Sequence, residues 1–520
     1  MSTVPVIRPP AAVAESAHQR MLRKLIPAWV VSGAVHVTIA AALVLGGALA
    51  GNTAPPPPSD AQLTVVTDDK PQEEKTPDLT NPAEGLDPSL VAVAPNDNVQ
   101  DVNVDAAVKP NEPPGSDTAA VVPTDVLAGA GQGGSDAGVM GDLGSVLAGA
   151  GAGGSTGSVG KAGVGRSGAT KSKLLAAGGG NDRTEAAVAR GIVWLARQQK
   201  ANGSWKYDTS AQHGSDAAAA TGMALLPFLA AGQTHKGPLE KKAAIDYTKH
   251  VAAGVEFLVN CQKADGSFAT ARTMYSHAVA TVALCESLGL TNDRALQVPC
   301  QKAVGYIQTG QGPDGSWGYR HKDAGDTSIV GWQIQALHSA KLCKDLQVSP
   351  AVLVKAMKFL DKVAAGPNKS EYGYKDSQRK RPPLTAVGLL CRYYEGGWRP
   401  ENPGMAAGVK ALMEQFPPNP KQMNMYYYYY ATQVLHFYEG TEWHKDWNPK
   451  MRDLLLDRQV AASAGADGGS WPTDGEADGA SIGAECGRLG MTSLSLLTLQ
   501  VYYRQLPLYK RGNGGEQFLK

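Results

Sequence analysis

The chain has almost no net charge to offer a polyanion. Lys and Arg number 49 and Asp and Glu 48 over 520 residues, a formal charge of +1. No basic excess points to nucleic acid, and no acidic excess points to a solvating tail. Cysteine is scarce as well: Cys261, Cys285, Cys300, Cys343, Cys391 and Cys486 all lie beyond residue 260. None forms a C-x-x-C pair, which excludes zinc ribbons and thioredoxin-like motifs. Most sit in apolar helical contexts, where free buried thiols are common. Disulfides stay open if the domain is extracytoplasmic.

Charge is missing altogether from residues 28–50, AWVVSGAVHVTIAAALVLGGALA. These 23 residues hold no Asp, Glu, Lys or Arg and are long enough to span a bilayer. Arg20, Arg23 and Lys24 precede them, and no positive charge follows until Lys70. The positive-inside rule makes residues 1–27 a cytoplasmic segment and 28–50 a single transmembrane helix in the inner (cytoplasmic) membrane. The rest of the chain is then extracytoplasmic. A cleaved signal peptide would have a shorter apolar core that starts earlier.

Residues 51–180 lack the apolar content of a core. Pro55 to Pro58 and scattered acids come first, and Gly/Ala/Ser tracts such as LAGAGAGGSTGSVG follow. Such sequence cannot offset its chain entropy, so it reads as a disordered Pro/Gly-rich linker. As a flexible coil it would reach roughly 60 Å from end to end.

From Asn181 the texture is helical and repetitive. Three segments share one pattern: Arg190-Gly191, Trp194-Leu195, Gln199, Gly203, Trp205; then Ala253-Gly254, Phe257-Leu258, Gln262, Gly266, Phe268; then Lys302-Ala303, Tyr306-Ile307, Gln311, Gly315, Trp317. A later unit restores it with Gln459, Gly469 and Trp471. In the fourth unit the turn is replaced by Gly366-Pro367 and Tyr372-Gly373-Tyr374, and in the fifth Phe416 stands where Gln would. Each unit carries a second, more apolar helix: 216–232, 275–290, 326–342, 383–396, 425–440 and 486–503. A helix apolar almost all round is buried on both faces. Six such hairpins satisfy this by closing into a ring, which also removes the need for capping repeats. The sequence therefore predicts an all-α repeat domain over 181–510, an α/α toroid of six inner and six outer helices, with a tail at 511–520.

The Gln-Trp turn resembles that of the terpenoid cyclase and protein prenyltransferase superfamily (the prenyltransferase and squalene oxidase repeat), over residues 183–505. That resemblance implies an α/α toroid in which the Gln caps the helix that follows and the aromatic packs across the turn. Gln199, Trp205, Gln262, Phe268, Gln311, Trp317, Gln459 and Trp471 are then structural: a side-chain amide would satisfy orphan N–H groups at a helix start, and Gly permits the tight turn. Ser32 and His36 lie one helical turn apart on one face of the apolar run. An ionisable group at membrane depth suggests function. The pair resembles the anchor of TonB-type energy transducers, which implies a proton-channel-type membrane partner.

The toroid resemblance places working groups at the mouth of the ring. Catalytic candidates are Asp216, His277, Asp326, Glu485 and Cys486; lumen candidates are Trp332, Tyr428, Tyr429 and Arg488. The motifs that carry the superfamily's chemistry are absent. No Asp-x-Asp-Asp supplies a proton donor for cyclisation. Glu485 and Cys486 are adjacent, unlike the spaced Asp-x-Cys pair that binds zinc, and no His follows in a later inner helix. Asp216 and Asp326 open inner helices, where N-capping is their structural role. No metal or cofactor is expected. Intact fold motifs without catalytic motifs point to a protein that binds or scaffolds an apolar or peptide ligand. The alternative is an isoprenoid enzyme, of prenyltransferase or cyclase type, with displaced active-site residues.

Overall fold

The structure is a computed structural model and describes residues 163, 165–209, 215–241, 243–476 and 482–504. The apolar run 28–50, with Ser32 and His36, the linker up to residue 162 and the tail 511–520 lie outside them. Among the described residues no helix is long and apolar enough to cross a membrane.

Two kinds of helix alternate along the chain. After α1 (Gly168–Gly178), the outer helices are α2 (Asp182–Arg197), α4 (Thr248–Asn260), α6 (Gln297–Thr309), α8 (Pro350–Val363), α10 (Pro403–Gln415) and α12 (Asn448–Arg458). Between them run the inner helices α3 (Ala217–Ala230), α5 (Met274–Thr291), α7 (Thr327–Lys341), α9 (Pro382–Tyr394), α11 (Met425–Tyr438) and α13 (Ile482–Leu499), followed by the short α14 (Val501–Arg504). Outer helices bury one stripe; on α4 it is Val251, Gly254, Val255 and Leu258. Inner helices are buried all round: every residue from Ala218 to Ala230 on α3, and from Ser276 to Leu290 on α5. Helices with no polar face need neighbours on every side.

The packing order supplies those neighbours. α3 packs on α5, α5 on α7, α7 on α9, α9 on α11, α11 on α13, and α13 returns to α3. Outside them, α12 meets α2. A series of neighbours that ends where it began is a ring, and the architecture is an α/α toroid. Two minimal antiparallel hairpins decorate it: Gln233–Thr234 with Gly237–Pro238, and Ala364–Ala365 with Glu371–Tyr372.

The Gln turns join the outer helices, by a bond opposite in sense to the one expected. The amide does not accept from N–H groups at a helix start. Its Nε2 donates to two carbonyls: one four or ten residues along its own turn, the other in the next outer helix. Gln199 reaches Gly203 O and His250 O, both at 2.9 Å. Gln262 reaches Gly266 O and Pro299 O, and Gln311 reaches Gly315 O and Val352 O. Gln459 reaches Gly469 O and Ala187 O, both at 2.8 Å, and so ties the last unit to the first. The turn glycine lies at φ between +82° and +91° in all four. A Cβ there would meet the backbone carbonyl of Ala253, Lys302, Lys355 or Arg190 at 2.2–2.5 Å, so only glycine fits. The indole N–H groups of Trp205, Trp317 and Trp471 donate back to Leu195, Ile307 and Leu455 carbonyls. In the fourth unit Tyr372 stands in the tryptophan's place: its N–H donates to Thr385 Oγ1 at 3.1 Å, as that of Trp205 does to Thr221.

The linker boundary at 180 moves toward the N-terminus. Leu174 of α1 is buried, and Gly178 O accepts from Trp443 Nε1 and Asn448 Nδ2. Arg166 is 4% exposed; it donates through Nη1 to Leu229 O and Glu286 and through Nη2 to Arg504 O. Glycine-rich composition hid these few anchoring side chains.

Candidate binding site at the mouth of the ring

The inner helices all point one way. Ser276, at the start of α5, donates to Asp216, the N-cap of α3. Tyr426 Oη of α11 donates to Ser328 O of α7 at 3.3 Å. Leu489 N of α13 donates to Asp208 Oδ1, just ahead of α3. At the other end, Gln500 Nε2 donates to Pro227 O, and His338 of α7 meets Glu395, which follows α9. One face, the mouth, thus gathers helix starts, and the opposite face, the base, gathers helix ends. Aligned peptide dipoles make the mouth partly positive and the base partly negative. The side chains answer that field, with Asp216 and Asp326 at the mouth and Arg166 and Arg504 at the base.

Contacts between non-neighbouring inner helices cross the bore. Trp332 of α7 stacks on Tyr429 of α11, with centroids 5.6 Å apart and planes at 11°. Between the same helices, Tyr429 Oη donates to Gln335 Oε1 at 2.8 Å, and Gln335 Nε2 donates to Tyr430 Oη at 2.9 Å. Toward the base, Arg504 donates to Tyr429 Oη and to Glu286. Toward the mouth, Trp332 Nε1 donates to Tyr275 Oη at 2.8 Å, and the Tyr426 ring lies 4.9 Å from that of Tyr430. Trp332 and Tyr430 are 0% exposed and Tyr429 1%, so no water-sized space touches them. A hydrogen-bonded aromatic column crosses the bore.

Above this column Tyr275 and Tyr426 are only partly buried. Beside them Cys486 shares a hydrogen bond with Tyr207. Burial pushes the Cys486 thiol up to about 12, so it stays protonated at neutral pH. Among the described residues no three His, Cys, Asp or Glu stand together as a metal-binding group. Burial also raises the Asp216 carboxyl, against the lowering pull of its bonds from Ser276 and Ala219. Asp326 caps α7: its Oδ1 accepts from Ser328 N, Ser328 Oγ and Ile329 N. Tyr374, 37% exposed, sits next to it, its hydroxyl pushed up by burial first and by Asp326 and Tyr319 after that.

The other candidates lie elsewhere. His277 faces outward from α5, its Nε2 donating to Ala303 O of α6 and its ring between Phe268 and Tyr306. Burial pulls its pKa down to about 4, which makes it a neutral core histidine at physiological pH. Tyr428 turns away from the bore; its hydroxyl accepts from Asn419 N and donates toward Gln422 O. Five consecutive tyrosines on a helix must point in all directions, and here Tyr426, Tyr429 and Tyr430 face in. Arg488 reaches outward to Ser470 Oγ and Asp467. Glu485 and Cys486 precede a break in α13 at Gly487 (φ +62°), where a Cβ would meet Asp208 at 2.3 Å. Glu485 offers its carbonyl to Thr209.

Sequence reading missed Tyr207, Tyr275, Glu286, Gln335 and Arg504. Glu286 did leave a signal, as the one acid inside the apolar run YSHAVATVALCESLGL.

No family model and no curated protein matches the sequence. Solved structures give similarities in outline. The GH76A α-1,6-mannanase from Salegentibacter sp. HEL1_6 is 9% identical with a TM-score of 0.44, covering 62% of this chain and 98% of that one. A variant of the type II terpene cyclase MstE from Scytonema, in complex with merosterolic acid A, is 12% identical with a TM-score of 0.42, covering 62% and 98%. An α-amylase from Clostridium perfringens is 10% identical with a TM-score of 0.43, covering 61% and 98%. Likenesses at these scores bear on neither the chemistry nor the relationships of this chain.

Proposed function

We propose that this protein is a binding protein whose ring mouth holds a polypeptide segment. The observation that carries this reading is the buried aromatic column across the bore. An isoprenoid chain needs a deep apolar cavity that buries most of its surface, and Trp332, Tyr429 and Tyr430 occupy that space. What is left to a ligand is a face around the partly buried phenols Tyr275 and Tyr426, with the buried caps Asp216 and Asp326 beside them. Tyrosine is favoured at recognition surfaces because it offers apolar area and a polar tip on a stiff side chain. Panning a displayed dodecapeptide library on the full chain in detergent should yield binders that lose at least tenfold in affinity on Tyr426→Ala. Turnover of radiolabelled geranylgeranyl diphosphate by the full chain would instead favour the isoprenoid-enzyme reading and overturn this one.

The membrane end rests on sequence. We infer that residues 28–50 anchor the chain in the inner membrane, with the ring outside the cytoplasm, and that the Ser32/His36 face docks on a proton-channel-type partner. The described chain reaches the ring at its base, through Arg166. His36→Ala should abolish co-purification of that partner; unchanged co-purification would sink the docking reading and leave the mouth untouched.

A further inference from the structure

The aspartate at the start of α7 holds one oxygen that its capping role does not use. All three capping bonds fall on Oδ1. Oδ2 is buried and receives no hydrogen bond, although Asp326 is 0% exposed. Leaving a buried charged acceptor without a donor is unfavourable. The other capping aspartate of the ring avoids it, since the second oxygen of Asp216 takes the Ser276 hydroxyl. A further donor that leans on this side chain is the Tyr374 hydroxyl, whose hydrogen-bond interaction with Asp326 is too poor in geometry to satisfy Oδ2. Nor does a cation of the chain answer it: Arg320, Lys322 and Lys375 lie nearby in sequence, and none forms an ion pair with Asp326 among the described residues.

Aromatic side chains, Tyr374 and Tyr426, stand close to that aspartate. Of the four large apolar or aromatic side chains that stand exposed among the described residues, Val298 and Val354 lie on outer helices; the other two are Tyr319 (52%) and Tyr374 (37%). Tyr374 interacts with Asp326 and Tyr319 with Tyr374 in turn, and Tyr426 approaches from across the ring through its bond to Ser328 O. Aromatic faces beside a carboxylate attract an ammonium or guanidinium group. The Tyr374 ring already carries one such contact, with Lys375 Nζ 5.7 Å from its centroid.

We propose that Asp326, Tyr319, Tyr374 and Tyr426 form a subsite for an alkylammonium or guanidinium group, supplied by a lysine or arginine of the bound segment. This rests on the polypeptide-binding reading and names what that segment must carry. The cation donates to Asp326 Oδ2 and lies against the phenol faces, and the Tyr374 side chain moves aside to admit it.

Fluorescence anisotropy tests it with the full chain in detergent and two fluorescein-labelled probes, acetyl-(Gly-Lys)3 amide and its Nε-acetylated counterpart. The free-lysine probe should bind at least tenfold more tightly, and Asp326→Asn should erase the preference. Asn caps a helix as well as Asp does, so the variant keeps its fold, which its melting curve checks. Tyr374→Phe should retain the preference and Tyr374→Leu should weaken it severalfold, because the ring face and not the hydroxyl holds the cation. Cadaverine competing as well as the lysine probe would assign the cation to a small diamine and overturn the lysine-or-arginine source. Equal binding of both probes, lost on Tyr426→Ala, would overturn the cation subsite and leave the polypeptide reading standing. No binding of either probe, together with no mouth-dependent library binders, would overturn both.

Discussion

Replacing Glu286 by Ala should remove about 3–5 kcal/mol of folding stability, the loss typical when one partner of a buried ion pair is deleted. Glu286 is the sole carboxylate among the described residues bonded to two buried guanidiniums: Arg504 Nη2 at 2.7 Å and Arg166 Nη1 at 2.9 Å. Deleting it strands both charges where neither can reach water. Burial draws the Glu286 pKa upward, and the charges of Arg504 and Arg166 more than reverse this, so it ends below its ordinary value. The sign of the pH dependence follows. A folded-state pKa below the unfolded one gives stability that is full above the unfolded value, near 4.5, and is lost as pH falls through the folded value. The gap between wild type and Glu286→Ala should therefore be widest at neutral pH and close progressively in acid below that value. Urea midpoints at pH 7 and at stepped acid pH, at fixed ionic strength, measure it. A gap under about 1 kcal/mol at pH 7 would show that the two arginines find other partners, since exposed pairs contribute no more than that.

This lock also shows where sequence stops being informative. The ring was legible because its signal is periodic: apolar second helices recur, and Gln, Gly and Trp return at fixed offsets. Burial of Trp205, Trp317 and Trp471 follows from that pattern alone. What joins the ring from outside the period leaves no such trace. Arg166 sits in glycine-rich chain and binds Glu286, 120 positions away; Arg504 reaches the same carboxylate across 218. No local rule connects them. The direction of the glutamine bond was likewise hidden, because an amide both donates and accepts, and only the geometry of the facing helix decides which end it uses. The mouth falls between these cases. The caps Asp216 and Asp326 were visible as acids ahead of apolar runs, and the tyrosine run was visible as a run. Which tyrosines face the bore depended on a helical phase that five identical residues cannot reveal.

The closing turn is where a small change should have the most distant effect. Gln459→Ala removes both bonds from Nε2 and the two that Oε1 accepts from Arg190 Nε and Nη2. Leaving such partly buried groups unpaired costs about 1–3 kcal/mol. Gln311→Ala strips the same pair of carbonyl bonds from the third turn but none to an arginine, so its local loss is the smaller of the two. The consequences differ because of connectivity. The third turn joins α6 to α8, which the chain itself holds together through α7. The last turn joins α12 to α2, separated by the whole length of the ring, and no covalent path keeps them adjacent. Opening there frees the first hairpin as a unit, a sub-global event of the kind hydrogen exchange detects. Gly469→Ala should act on the same seam by another route. A non-glycine residue at φ +91° is strained, and its Cβ would press on Arg190 O at 2.5 Å, a backbone atom that cannot swing aside. Hydrogen exchange followed by mass spectrometry should show α2 and α12 losing protection in both variants, with α2 unchanged in Gln311→Ala. Equal loss of α2 protection in Gln311→Ala would mean that the ring opens anywhere along its circumference and that the seam has no special standing.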